Sequence, residues 1–246
     1  MIDQQRVWDE RAAQSYDTPG EGMFAADVLG PTVETLARLA DGGRALEFAV
    51  GTGRVALALR EAGVDVTGLE LSHAMIARLR EKATEEEIRV VQGDMATASA
   101  GEGFALVYLV YNTIANLLSQ DEQVECFRNA ARHLAPGGRF LIELWVPGIR
   151  RFPPGQAGVP FDISDEHVGF DTFDMATQRG TSHHYRRFPD GRVTYGFSNF
   201  RYIWPAECDL MARLAGLTLE QRVADWDGAP FTGDSESHIS VWRKPA

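Results

Sequence analysis

The sequence predicts an α/β protein: a doubly wound, mostly parallel seven-stranded sheet with helices on both faces and a small antiparallel β insertion. Three observations carry that reading. Short apolar runs alternate with amphipathic helical patterns through residues 31–146, and the connections are too short for anything but crossover helices, so the strands run parallel. Residues 104–111 are apolar throughout, as a strand buried on both faces must be. Between 150 and 203 the pattern changes to period two, the mark of an antiparallel element. The chain therefore divides into a main domain, residues 1–149 with 204–246, and an insertion, residues 150–203.

Taken in order, residues 1–22 are polar, with Trp8, Tyr16 and a Thr18-Pro19-Gly20 break, and predict a short helix leading into a loop. Pro31 suits the first turn of a helix that carries Val33, Leu36, Ala37 and Leu39 on one side and stops before Gly42 and Gly43. Leu46, Phe48 and Val50 predict the first strand, and Val55, Leu57, Ala58 and Leu59 the helix after it, with Gly63 as its C-cap. A second strand spans 64–70, Ser72 caps a helix to Ala83, and further strands cover 88–92 and 104–111. Ser119 and Glu122 form a capping box for a helix to about Leu134, stopped by Pro136, Gly137 and Gly138, and a fifth strand follows at 139–146. In the insertion, 181–188 and 192–203 predict a hairpin around Asp190 and Gly191, with Val193, Tyr195, Phe197, Asn199, Arg201 and Ile203 on one face. Pro205 opens a helix that Gly216 ends, and 217–226 with 237–242 supply the last strands.

Composition narrows the function. Lysine and arginine total 24 against 35 acids, a net charge of −11, which opposes phosphate backbones and anionic membranes, so neither nucleic acid nor membrane is an expected partner. Cys126 and Cys208 lie far apart with no CxxC spacing, so neither a disulfide framework nor a metal site is expected. The first residues lack a basic region followed by an apolar stretch, and the longest apolar run is too short to span a bilayer. A soluble, unprocessed, cytoplasmic protein is the expectation.

The ligand end of such a sheet lies at the C-terminal strand ends, where Glu47, Glu70, Asp94 and Asn112 all fall. Gly51 and Gly53 let a ligand approach the backbone, and the first N–H groups of the following helix point at it. The spacing Gly51-x-Gly53-x-x-Ala56, with Glu70 downstream, also matches a dinucleotide fingerprint, so a nicotinamide-dependent oxidoreductase is one reading. A pyrophosphate has no use for the carboxylate of Glu47, whereas a ligand bearing an ammonium and a sulfonium does.

With Glu47-x-Ala49-x-Gly51-x-Gly53, Glu70 ending the second strand, and Gly93-Asp94-Met95 closing the third, the chain resembles the Rossmann-like class of S-adenosylmethionine-dependent methyltransferases. The resemblance implies that the glycine motif cradles the methionine part of the cofactor, that Glu70 holds the ribose hydroxyls, that Leu71 packs on adenine, and that Asp94 and Met95 complete the adenine contact. Ala49 stands where a glycine is more usual. Arg54, a helix-face arginine by position, is counted with the cofactor set. A finer resemblance, through Tyr16-Asp17 and the late β insertion, is to small-molecule and sugar N-methyltransferases, and implies that the Tyr16 ring closes over the cofactor.

The acceptor is then expected among Tyr111, Asn112 and Trp145 at the ends of strands four and five, and His183, Tyr195 and Arg201 in the insertion, a mostly apolar wall with a few polar fixing points. N- or O-methylation of a small molecule needs no protein nucleophile and no metal; a hydroxyl acceptor gains from a base, for which His183, His184, Glu143 and Tyr195 are candidates. The same aromatic strand face suits a homodimer contact. A non-catalytic S-adenosylmethionine-binding protein is the remaining alternative.

Overall fold

The computed structural model describes residues 8–246. The expectations about the N-terminal leader and the start of the leading helix fall on residues 1–7, outside the described residues. Helix α1 is Glu10–Gln14, capped by Asp9. Helix α2, Ala26–Ala40, begins earlier than expected and holds Pro31 inside it. The amide that proline lacks would have bonded to the carbonyl of Asp27, which sits in the exposed first turn, where water can take its place.

The main sheet runs β10-β11-β5-β4-β1-β2-β3, where β1 is Ala45–Phe48, β2 Val66–Glu70, β3 Arg89–Gln92, β4 Phe104–Leu109, β5 Leu134–Trp145, β10 Thr218–Val223 and β11 Ser237–Arg243. Strands β1 to β5 pair in parallel, and β11 runs antiparallel to both β5 and β10. The chain winds outward from β1 to β3 and then returns to β4, so the topological switch lies between β1 and β4. Helices α3 (Arg54–Glu61), α4 (His73–Arg80), α5 (Gln120–His133) and α6 (Pro205–Leu214) make the connections. Ser72 caps α4, Ser119 and Glu122 form the reciprocal capping box of α5, and Pro205 opens α6, each as the sequence predicts.

Alternation along the strands separates two cores. Phe48, Val107, Phe127, Phe140 and Trp242 pack with α5 and α6 on one side of the sheet. Leu36, Val55, Leu59, Leu106, Tyr108 and Leu141 pack with α2 and α3 on the other. Each fully buried aromatic or leucine contributes about 1.5–3 kcal/mol of transfer free energy. No helix among the described residues is long and apolar enough to cross a membrane.

The insertion is a four-stranded antiparallel meander, β6 (Gly158–Ile163), β7 (His167–Asp174), β8 (Arg179–Arg187) and β9 (Val193–Arg201), rather than a lone hairpin. Its β8–β9 turn at Asp190 and Gly191 is the predicted one. Register sets its faces. Phe170, His183, Tyr185, Tyr195 and Phe197 form a ladder of rings on one face, with Tyr185, Tyr195 and Phe197 exposed. Asp171, Ser182, His184 and Ser198 take the opposite face, which covers the ligand end of the main sheet.

Candidate active site

A cavity of about 2100 Å³ lies between the C-terminal strand ends and the insertion. That is about twice the upper end of the roughly 300–1,000 Å³ range of single small-molecule pockets, room for two ligands side by side. Its first half is built on the loop after β1. Ala49, Gly51 and Gly53 all take positive φ there, at 52°, 57° and 87°. A Cβ on Gly51 would meet only the Ala49 carbonyl oxygen at 3.9 Å and would project into open space, whereas one on Gly53 would crowd Leu79 at 3.1 Å. Ala49 bears the left-handed conformation with a side chain, at a cost of about 1–2 kcal/mol that a glycine would not incur.

Glu70 ties this loop to the next one. Its Oε2 accepts from the Gly51 N–H at 2.9 Å and its Oε1 from the Ser72 N–H at 2.8 Å. Burial pushes its carboxyl up against those hydrogen bonds. Leu71, Asp94 and Met95 line the same wall, and Asp94 is fixed by accepting from the Ala96 N–H at 2.7 Å.

Glu47 lies behind the cavity wall and not on it, 3% exposed, with its Oε2 accepting from the Tyr108 hydroxyl at 2.9 Å. Burial, only partly offset by Tyr108 and the charge of Arg54, pushes its carboxyl up to about 8. Arg54 turns away from the cavity: its Nη1 donates to the Met23 carbonyl at 2.9 Å and its guanidinium sits over Tyr111 and Phe24.

Arg54 is one of three clasps that hold the N-terminal segment over the glycine loop. Thr52, between the two glycines, donates its hydroxyl to Asp17 at 2.5 Å, and Lys82 donates to the other Asp17 oxygen at 2.7 Å. Burial works to raise the Asp17 carboxyl, but these two partners hold it below the usual range. Ser72, besides capping α4, donates to the Trp8 carbonyl at 2.6 Å. So fastened, Trp8 and Tyr16 line the cavity, their rings packed edge to face, with burial pushing the Tyr16 hydroxyl up to about 12. Thr52, Ser72 and Lys82 are site-building residues that sequence reasoning missed; the hydroxyl placed between two glycines was the available signal for Thr52.

The second half begins where β4 ends. Tyr111 and Asn112 are consecutive left-handed residues, at φ 56° and 59°. Glu143 holds them there: it accepts from the Tyr111 N–H at 2.7 Å and from the Trp226 indole at 2.9 Å. That occupation makes Glu143 a positioning residue and removes it from the candidate bases. Tyr111 and Trp145 pack edge to face at 6.1 Å and, with Asn112, line the cavity as expected from sequence.

Three expected acceptor residues are placed elsewhere. His183 bonds Tyr195 at 2.8 Å and Thr172 at 3.1 Å on the outward face of the insertion, and Tyr195 is exposed there with it. Arg201 is 4% exposed and paired with Glu207 at 2.7 Å. Period two shows which side chains share a strand face but not which face meets the cavity, and here it is met by the opposite register, through Ser182, His184, Ser198 and Phe200, with Thr181 and Asn199 of the expected register also lining it.

A family model described as a methyltransferase domain matches residues 45–138, the span from β1 to the start of β5. The chain is similar to the CcbJ methyltransferase from Streptomyces caelestis, at 35% identity over 89% of this chain and 90% of that one, with a TM-score of 0.80. The chain belongs to the S-adenosylmethionine-dependent methyltransferases. It is also similar to a cypemycin N-terminal methyltransferase from a Streptomyces species, 28% identical over 97% of this chain and 98% of that protein. A third relative is the dTDP-4-amino-2,3,4,6-tetradeoxy-D-glucose N,N-dimethyltransferase of Saccharopolyspora spinosa, 36% identical over 56% of each chain. The nicotinamide alternative is not favoured.

The residues of this methyltransferase fit its cofactor. The space a Cβ at Gly51 would take is free for a ligand, the Glu70 carboxylate has lone pairs left to accept from ribose hydroxyls, and Leu71 and Met95 offer apolar surface to adenine. Glu47 would act through the wall as a charge. Its raised pKa means that a cationic ligand nearby must expel a proton to gain a carboxylate. S-adenosylmethionine affinity is therefore expected to rise by up to about tenfold per pH unit from pH 6 to 7.5, below the range of about 7.7–8.0 where an α-amine itself titrates. Glu47→Gln flattens this dependence; calorimetry showing a pH-independent affinity in the wild-type protein would remove Glu47 from the cofactor's surroundings.

Proposed function

We propose that this methyltransferase N-methylates a small-molecule amine, held in the half of the cavity between Trp145 and the insertion. The observation that carries the reading is a carboxylate aimed into that half: Asp171 lines the cavity, with Ser182 donating to its Oδ1 at 2.6 Å and burial pushing it up. A desolvated carboxylate with one hydrogen-bond donor is a site for an ammonium. The relatives, an N-terminal methyltransferase and an amino-sugar N,N-dimethyltransferase, support an amine, and the net charge of −11 supports a small acceptor over nucleic acid. Unpaired, buried Cys126 and Cys208 support a reducing, cytoplasmic setting.

When bound, S-adenosylmethionine supplies an electrophilic methyl group on a sulfonium. The protein's part is alignment and exclusion of water, with Trp8 and Tyr16 closing one end and Tyr111, Trp145 and Phe200 walling the acceptor. The insertion face bearing Asp171, Ser182, Ser198 and Phe200 would choose the acceptor. The test is incubation of the protein and S-adenosylmethionine with amino-sugar nucleotides, peptide α-amines and the matching hydroxyl compounds, read by mass spectrometry. Gain of one methyl on nitrogen is expected; methylation of the hydroxyl compounds alone would replace this reading by O-methylation.

A further inference from the structure

Asp162, His167 and His184 form a line of side chains that ends in the cavity. Asp162 Oδ2 lies 2.5 Å from His167 Nδ1, and His167 Nε2 lies 3.0 Å from His184 Nδ1. The two imidazole planes differ by 12° and their centroids are 5.2 Å apart, wider than the roughly 3.5–4 Å of face-to-face contact, so the rings meet edge to edge. His184 lines the cavity, and its cross-strand neighbours are both glycines, Gly169 and Gly196. The Phe161 ring fills the space over Gly169, while a Cβ on Gly196 would meet nothing within 4 Å. The imidazole thus lines the cavity with open space beside it over Gly196.

With both imidazoles neutral, the order of the hydrogen bonds sets the protons. A carboxylate only accepts, so His167 Nδ1 carries a proton toward Asp162. A neutral His167 then accepts at Nε2 from His184 Nδ1–H, which leaves His184 Nε2 unprotonated. We propose that His184 Nε2 is the proton acceptor for the substrate amine, with His167 and Asp162 as positioning residues that set its tautomer and share the charge. The inference rests on the amine reading above.

An alkyl ammonium has no lone pair and cannot attack carbon. Its N–H bond breaks, the electron pair stays on nitrogen and the proton passes to His184 Nε2. That pair then forms the N–CH₃ bond while the methyl–sulfur bond breaks with its electrons going to sulfur. The Nδ1 proton of His184 moves to His167 Nε2, and the charge is met by Asp162, whose side chain is 43% exposed and gives the proton a way out. Burial, with the charge of Arg186, holds His184 below its ordinary value, so the base is free at neutral pH; Asp162 and Asp171 are the acids on the same face.

Two readouts test this on the full-length protein. In ¹⁵N NMR at pH 7, His184 is expected to show an unprotonated Nε2 and a protonated Nδ1, a pattern lost in His167→Phe; a proton on Nε2 in the wild-type protein would overturn the proposal. With an amine methylated in the screen above, His184→Asn is expected to lower kcat/KM about 100-fold at pH 7, at the low end of general-base effects. The deficit should shrink to a few-fold as pH approaches the ammonium's own pKa, about 8–10, because solvent then delivers the neutral amine. His183→Asn, on the opposite face of the same strand, should change neither. A His184→Asn deficit equal at all pH values, or none, overturns the proton-acceptor role. If the wild-type protein methylates no amine but shows the expected tautomer, it is the amine reading that has failed, and the proton-acceptor role falls with it.

Discussion

Arg201→Ala is expected to lower the unfolding free energy by about 3–5 kcal/mol, the cost of leaving a buried ion pair without one partner. The guanidinium donates to Glu207 at 2.7 Å, to Gln178 at 3.1 Å and to Gln123, so one side chain joins β9, α6, α5 and the turn before β8. Gln123 in turn donates to the Leu117 carbonyl at 2.9 Å, which extends the network under the acceptor half of the cavity. Removing Arg201 strands Glu207 among Gln120 and Gln178, which supply donors but no charge. At about 2–4 °C per kcal/mol for a chain of this size, the midpoint of thermal unfolding falls by roughly 6–20 °C. The pH dependence follows from Glu207. Burial raises its carboxyl, but Arg201, Gln120 and Gln178 outweigh burial and hold it below the ordinary value. Its contribution is therefore present above the unfolded pKa and lost as pH falls through the folded one, and the variant should lose that acid-side slope. Denaturant titration with kinetics below the new midpoint checks both sides: unchanged stability with a raised acceptor KM would return Arg201 to the substrate site.

Arg201 also shows where sequence reasoning stops. Its partners come from positions 123, 178 and 207, and no local pattern announces that they converge. By contrast the parallel strands were legible because both of their faces are buried: in β4, Leu106 and Tyr108 serve one core and Val107 and Leu109 the other, so the run had to be apolar throughout. The cofactor half was legible for a different reason. Backbone demands at Gly51 and Gly53, and a carboxylate ending β2, leave few choices of residue, and they sit at fixed spacing. Strands β6 and β7 escaped notice because Pro160, Gly169 and several acids break an alternation that is only half buried. In β9 both faces carry aromatics, Tyr195 and Phe197 on one and Phe200 on the other, so hydrophobicity alone could not say which of them meets the ligand. His184 and His183 differ in the same way: one position decides between the cavity and the outer ladder.

Glu70→Ala is expected to weaken S-adenosylmethionine binding by about 1.5–3 kcal/mol, the range for hydrogen bonds to a charged group, or roughly 10- to 150-fold in Kd at 1.4 kcal/mol per decade. The loss has two parts. The carboxylate that would accept from the ribose hydroxyls disappears, and so does the acceptor that holds the Gly51 and Ser72 amides in place at 2.9 and 2.8 Å. The second part separates this residue from a simple contact, because the glycine loop and the start of α4 are then no longer tied to the same side chain. Glu70→Gln should not rescue affinity: its amide group must face one of the two backbone N–H donors, which sets a donor against a donor. The apo protein responds differently. Burial raises the Glu70 carboxyl, so the folded state binds its proton more tightly than the unfolded state, and stability falls as pH rises from the unfolded value through the folded one. Removing the carboxyl abolishes that decline while binding is lost, so at neutral pH affinity should drop far more than thermal stability. Calorimetry beside thermal unfolding distinguishes the outcomes: affinity unchanged with an intact fold would take the ribose contact away from Glu70, and affinity and stability lost in proportion would reduce it to a structural tie.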